Sequence, residues 1–419
     1  MWSGLGPGTM ELLLVSEVLM RRLAIILTIA AAVPLVLLAG WQRVVEPALV
    51  KIPGGVNRTN HYSGTVEVFV DAKTAADLAT PQRSPMSILR VTKSVPGETG
   101  ATTTALEETD TINLLGQSAV QTNVFVLDRS SARNQLDEHA TAYGTPVNRH
   151  GSYFPNLPFG VDTSRRYPIW NNEAGAVYLM QRDGGPATTH INGVKVLRMT
   201  GTLPMATVAP YYKAELTKLG LPDQLTPDQL QAQFATSGAN VSQVADALSK
   251  VLTPNELLTV IGALANPLPL QYSTALTGHA RIEPTTGIVV WTHSVKRFFV
   301  GPDPAALAPV KQALARHASD PVASAVSGYL DTLTKPRAAF TLDYTTDPAS
   351  ANSMASYADS QRTKLRIAQL YAPAGLLLLA VILSFGAFLA WRHQPEKPAA
   401  DVIDVREEVD AREREPAGV

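Results

Sequence analysis

Two stretches of this chain are apolar without interruption, and between them the hydrophobic positions switch from a two-residue to a helical spacing and back. A bilayer core about 30 Å thick takes about 20 apolar helical residues to cross. Leu23 to Ala39 (LAIILTIAAAVPLVLLA) and Leu370 to Trp391 (LYAPAGLLLLAVILSFGAFLAW) meet that need and carry no charge. Arg21, Arg22, Trp41 and Arg43 bound the first, and Tyr371 and Trp391 stand at the ends of the second, where aromatic rings favour the interface. Pro34 and Pro373 do not exclude helices, because proline near a span end is tolerated in lipid. The competing reading of the first stretch is a cleaved secretory signal, but Gly40-Trp41-Gln42 offers no small-x-small site after it. Two transmembrane helices, 21–41 and 370–391, are therefore expected. An N-terminal extension (1–20), in which Met20 is an alternative start, precedes them, and a charged tail (392–419) follows.

Between the spans, 42–209 reads as β-rich. Thr65 to Val70 alternates except at Phe69, and Ile88 to Val95, Gln121 to Leu127, Ala176 to Met180 and Val194 to Met199 are rich in β-branched or aromatic residues. Asp183-Gly184-Gly185-Pro186 and Asn192-Gly193 are turn signals, so Ala176 to Thr200 predicts a hairpin region. The spacing changes after Pro210. Thr226-Pro227-Asp228-Gln229 and Thr253-Pro254-Asn255-Glu256 each place a capping hydroxyl, a proline at the first helical position and a Gln or Glu three residues after the cap. Val241, Val244, Ala247, Leu248 and Val251 recur at helical spacing between them, which predicts a helical insertion over 210–270. In 271–369, strands are expected at Tyr272 to Ile282 and Ile288 to Trp291 around the turn Glu283 to Gly287. A helix near Pro304 to Leu333, a strand at Ala338 to Tyr344 and a helix from Ser350 complete that region. The fold class is α+β: a β-rich extracytoplasmic domain with a helical insertion, flanked by two transmembrane helices.

The basic residues set the expected orientation, since Lys and Arg are retained in the cytoplasm. Arg21 and Arg22 place the N-terminus inside, and two spans bring the C-terminus inside with Arg392, His393 and Lys397. Arg362, Lys364 and Arg366 before the second span oppose this assignment. The tail from 396 to 415 holds eight acidic and four basic residues, which favours a cytoplasmic protein partner over anionic lipid.

Composition supports a folded exterior. Apolar residues make up 45 % of the chain and charged residues 17 %, enough for a sizeable core. Residues 42–369 carry 28 Lys plus Arg against 26 Asp plus Glu, so no basic field points to nucleic acid. The absence of cysteine removes disulfides, thiol nucleophiles and cysteine-ligated zinc. No metalloprotease, nucleophile-elbow or phosphate-loop motif occurs, and the histidines lack ligand spacing, so neither a catalytic residue nor a cofactor is assigned. His293 beside Trp291 reads as a packed or surface strand residue, and Asp128-Arg129 and Asp137-Glu138 as capping or solvated groups.

The chemistry that stands out is aromatic. Tyr153, Phe154, Phe159, Tyr167 and Trp170 are interleaved with Pro155, Pro158 and Pro168, so they sit on extended or looping backbone. Large rings on such a segment either plug a core or line a groove for an acyl chain or glycan. Arg165 and Arg166 beside them are placed to meet an acidic head group. Phe154, Phe159, Arg165, Arg166, Tyr167 and Trp170 are the candidate ligand-binding residues.

Tyr153-Phe154-Pro155-Asn156-Leu157-Pro158-Phe159-Gly160 followed by Arg165-Arg166-Tyr167-Pro168-Ile169-Trp170-Asn171 resembles a block of the actinobacterial porin PorA family of two-span envelope proteins. Val50-Lys51-Ile52-Pro53, Phe125 to Arg129, Asn192-Gly193-Val194 and Ile282 to Gly287 agree in order. Asn156-Leu157 interrupts the family's compact Phe-Pro-Phe pattern, and Asn171 stands where the family tends to have aspartate. The resemblance implies a part in assembling a mycolate and lipoglycan envelope. The expected function is a non-catalytic factor that binds a membrane lipid or glycolipid, or docks onto a membrane transporter or glycosyltransferase. A membrane-anchored hydrolase or transferase is the alternative. A pore-forming subunit is a remote third, because two apolar helices supply no polar lumen by themselves.

Overall fold

The structure is a computed structural model and describes residues 7–46, 50–71, 77–236 and 241–392. The acidic tail from 393 onward lies outside the described residues. The chain divides into two compact units, Met1–Leu49 with Arg366–Val419, and Val50–Leu365.

The first unit is a helix pair, α1 (Pro7–Gly40) and a C-terminal helix (Ala372–Arg392), each extended by a short π-helical turn, Trp41–Val45 and Ile367–Tyr371. Among the described residues, two helices are long and apolar enough to cross a membrane, one over Leu19–Val45 and one within Pro348–Arg392. Pro34 lies inside α1 without ending it. Small residues carry the contact: Ala24, Ala31, Ala380, Ala387 and Ala390 are buried, and a Cβ on Gly386 would lie 3.6 Å from Leu27. The Trp41 indole donates to the Ala368 carbonyl at 2.7 Å. Ile25, Ile26, Val36, Val381, Phe385 and Phe388 are exposed, as a lipid-facing surface requires.

The second unit is built on an antiparallel sheet. Its strands are β1 (Asn57–Val70), β2 (Asp77–Ser94), β3 (Thr103–Leu114), β4 (Gln117–Asp128), β5 (Thr141–Ala142), β6 (Thr145–Pro146), β7 (Tyr167–Asn171), β8 (Ala176–Arg182), β9 (Thr188–Ile191), β10 (Val194–Thr207), β11 (Gln224–Leu225), β12 (Leu268–Ile282), β13 (Val289–Pro302) and β14 (Arg337–Thr346). They run in the order β6-β5-β4-β3-β2-β1-β14-β13-β12-β10-β8-β7, with β11 on β12 and β9 on β10. Tight turns fix the register. Leu115-Gly116 and Asn192-Gly193 both have positive φ at each residue, the geometry that matches the twist of the β3–β4 and β9–β10 hairpins.

The sheet closes on itself. Leu127 of β4 bridges Asn134, Arg133 bridges Tyr153, and Tyr153 bridges Ile169 of β7. Backbone hydrogen bonds carry the seam: Asp128 N to Arg133 O (2.8 Å), Asn134 N to Ser152 O (2.9 Å) and Tyr153 N to Pro168 O (2.7 Å). The two sheet edges are thereby joined through the segments around Arg133 and Tyr153, which removes most of the unpaired edge an open sheet would present.

Helices α2 (Pro210–Lys218), α3 (Pro227–Thr236), α4 (Val241–Leu248) and α5 (Pro254–Ala265) fill the stretch between β10 and β12. α6 (Pro304–Ala315) and α7 (Pro321–Leu333) follow β13, and α8 (Pro348–Arg366) follows β14. Thr253 and Glu256 form a reciprocal capping box at the start of α5, and Gln229 and Thr226 exchange hydrogen bonds at the start of α3. Tyr212, Leu216, Leu248, Val260, Leu307, Val310 and Leu330 of the helices share one apolar core with Tyr62, Val66, Phe298 and Leu342 of the strands. A second core holds Leu106, Phe125, Leu127, Tyr153, Leu157, Tyr167, Met180, Met199 and Ile282. Met354, Ala355 and Ala358 on α8 pack with Val194, Val196, Ile288 and Val290.

Candidate functional site

Between the two apolar cores the interior of the strand ring is polar, and the register puts its residues in rows. Arg58, Thr92, Glu108 and Asn123 lie opposite one another across β1, β2, β3 and β4. One step of two residues away, Asn60, Arg90, Asp110 and Gln121 form a second row. The next row in that direction is apolar (Tyr62, Ile88, Ile112), and the next in the other ends in Leu106 and Phe125. Alternation along each strand thus sends two successive inward positions into a polar belt and its neighbours into hydrophobic layers.

A cavity of about 190 Å³ occupies this region, lined by residues of β1 to β4, β7, β8 and β12 to β14. Arg90 clamps Asp110 with two parallel bonds, Nε to Oδ1 at 2.8 Å and Nη2 to Oδ2 at 2.7 Å, and lies 3.5 Å from Glu108. The Arg90 guanidinium also lies over the Tyr62 ring. Across the lumen, Lys296 of β13 is paired with Glu173, which also accepts from Asn171 Nδ2 at 2.7 Å. Burial alone would lower the Lys296 pKa, but Glu173 holds the ammonium well above its ordinary value. Burial pushes the Glu108 carboxyl up to about 7 against the pull of Arg90.

Among the described residues, several polar atoms of the belt have no hydrogen-bond partner: Arg58 Nε, Asn60 Oδ1, Glu108 Oε2, Asn123 Oδ1, Trp170 Nε1 and Asn172 Oδ1 are buried without one, and all six residues line the cavity. Buried polar groups are normally satisfied, so a cluster of orphans around one cavity marks a place for water or a ligand. Arg149, only 1 % exposed, does not line the cavity and is structural: its Nη1 and Nη2 donate to the Val124 and Thr141 carbonyls at 2.8 and 2.6 Å and its guanidinium lies over Phe125, while its Nε has no hydrogen bond.

The aromatic block divides. Phe154 and Trp170 line the cavity, with Phe154 tilted 5.0 Å from Phe125 and beneath the Arg90 guanidinium. Tyr167 is buried in the second core, edge-on to Tyr153, and its hydroxyl donates to Asp162 O at 3.1 Å. Phe159 packs on that core from its rim. Arg165 and Arg166 are exposed, and Arg165 pairs with Asp162 at 3.5 Å. The arginines therefore stand apart from the cavity that Phe154 and Trp170 reach. His293 lies on the outer side of the ring, bonded to Asp343 at 2.8 Å and stacked on His279.

The charged and amide residues of the belt form no local motif in the sequence. The signal present was a two-residue repeat of polar positions, Arg58-x-Asn60, Arg90-x-Thr92, Glu108-x-Asp110 and Gln121-x-Asn123. A ring of antiparallel strands that encloses a polar belt between two apolar layers, in a chain with two helices able to cross a membrane, defines a membrane protein with a β-ring domain. The chain belongs to the family described as Porin PorA, whose sequence profile matches residues 23–389. No curated protein matches it.

Proposed function

We propose that the β-ring domain is a non-catalytic carrier or receptor for a lipid or glycolipid of the cell envelope, held in the lumen between β1 to β4 and β12 to β14. The observation that carries this reading is the set of unpartnered polar atoms beside an apolar wall: Tyr62, Ile88, Phe154, Met180 and Leu342 offer surface for a hydrocarbon portion, and Asn60, Asn123 and Trp170 offer bonds to a polar one. The domain sits outside the cytoplasm, with both chain ends inside, and its ligand comes from or goes to a membrane transporter or glycosyltransferase. The test is lipid extraction from the full-length chain purified from an envelope-producing host. One bound lipid per chain supports the reading, and empty protein counts against it.

Glu108 gives a specific reason to keep a membrane-anchored hydrolase or transferase as the second reading, since a buried carboxyl near neutrality beside another carboxylate is a common feature of acid–base sites. Against it, Asp110 is clamped by Arg90 and not available as a base or nucleophile. Turnover of the extracted lipid by wild type and not by Glu108→Gln would favour the enzyme. As for a pore, the outward positions of β2 and β3 include the Lys93–Glu107 ion pair at 3.0 Å, whereas a barrel crossing lipid presents an apolar band there.

A further inference from the structure

We propose that capture of a ligand in the lumen is linked to the gain of one proton, and that the Glu108 carboxylate takes it; this rests on the lumen being the ligand site.

Two carboxylates share one guanidinium here. Arg90 uses its planar fork on Asp110 and reaches Glu108 only from the side, at 3.5 Å. The remaining charged and titratable groups that face Glu108 are committed elsewhere and leave its Oε2 without a hydrogen bond. From β1, Tyr62 carries Arg90 over its ring and Arg58 turns its guanidinium toward Tyr357 on α8. From β13, Lys296 is paired with Glu173. Arg149 is bonded to two backbone carbonyls. The residue directly opposite on β4, Asn123, brings an amide whose own oxygen has no partner. Glu108 is thus the surplus acid of the belt: its Oε2 is buried at the cavity without a hydrogen bond and has only the 3.5 Å contact with Arg90.

Such a group responds to what fills the space beside it. An uncharged, largely apolar molecule displaces water from the lumen and removes the last solvation available to an ionised Glu108. The neutral acid is then favoured further, so binding draws a proton from solvent onto the carboxylate; no other bond forms or breaks. Affinity for such a ligand falls as pH rises through neutrality. This gives the carrier a means of loading at one side of a pH difference and releasing at the other.

The probe is an uncharged long-chain alcohol bearing a diazirine, photolysed with the full-length chain in nanodiscs from about pH 5.5 to about pH 8.5. Cross-links to lumen peptides are quantified against cross-links to α1, whose apolar surface does not titrate. Lumen labelling of wild type is expected to fall roughly tenfold across the range, and labelling of Glu108→Gln to stay high and flat. Constant labelling in wild type, or the same fall in Glu108→Gln, overturns the inference while leaving the lumen as a lipid site. No lumen labelling at any pH overturns the lipid-site reading and this inference with it. If Glu108→Gln does not fold, Asn123→Asp takes its place: a second acid opposite Glu108 is expected to move the midpoint up by about one pH unit, and an unmoved midpoint overturns the proposal.

Discussion

Leu157 and Gly287 join two distant parts of the sequence through their backbones: Leu157 N donates to Gly287 O at 3.0 Å, and a Cβ on Gly287 would fall on the Leu157 carbonyl oxygen. Gly160 N and Val161 N extend the contact to Thr285 O and Pro284 O at 3.0 and 2.7 Å. The proline- and aromatic-rich segment is thereby docked onto the β12–β13 turn, where buried Glu283 accepts from Thr286 N and Oγ1. Two of the blocks that carry the family resemblance are thus one structural piece, placed beside the seam that closes the ring.

Gly287 also has φ +70°, so replacing it strains the backbone as well as colliding with Leu157. Gly287→Ala is expected to destabilise the chain by about 2–4 kcal/mol, read from denaturant unfolding of the full-length protein in detergent. Gly55→Ala, with open space at its Cβ, serves as the control.

Arg90 holds the belt together. Arg90→Ala leaves Asp110 and Glu108 buried without their cation, at a cost of roughly 3–5 kcal/mol. Neutralising both acids in the same chain, as Asp110→Asn with Glu108→Gln, is expected to recover most of that loss. Failure to recover it would mean that packing of Arg90 over Tyr62 and Phe154 matters more than its charge.

The Glu108 carboxyl, pushed up to about 7, gives stability a definite pH dependence. Below about pH 4.5 the group is protonated in both states, and its contribution is fully present. As pH rises toward 7 the unfolded carboxyl ionises and the folded one resists, so the folded state loses up to about 3 kcal/mol relative to acid pH, levelling above 7. The difference in unfolding midpoint between wild type and Glu108→Gln should therefore grow from about pH 4.5 to 7, in favour of the variant.

A chain without cysteine allows a clean test of orientation. Ser118→Cys on the β3–β4 hairpin should react with an impermeant maleimide in intact cells. A cysteine placed in the C-terminal tail should react only after lysis. Reaction of the tail in intact cells would reverse the topology.

What the sequence revealed was what local chemistry encodes. The Thr253 and Glu256 capping box, the Thr226 and Gln229 pair and the Asn192-Gly193 turn depend on residues within a few positions, and each is found in the structure. Strands with a polar inner face were harder to read. β1 was legible only at Thr65 to Val70, because before it Arg58 and Asn60 occupy inward positions where the two-residue pattern calls for apolar side chains, while β2 was legible at Ile88 to Val95 although Arg90 and Thr92 within it also face inward. β3, with Glu108 and Asp110 inside, was missed altogether. The closing of the ring depends on Tyr153 meeting both Arg133 and Ile169, pairings with no local signature. Within the aromatic block, nothing in residue type separates Trp170, which lines the cavity, from Tyr167, which is buried in the core beside it.

Whether the lumen of the ring holds a lipid is decided by native mass spectrometry of the full-length chain against Ser294→Trp, in which an indole replaces a small cavity-lining side chain on β13. Ser118→Trp on the exposed hairpin is the control. One lipid per chain is expected on wild type and on Ser118→Trp, and its loss from folded Ser294→Trp. The same lipid retained on all three proteins would contradict a lumen site and move the ligand to the surface or to the membrane helices.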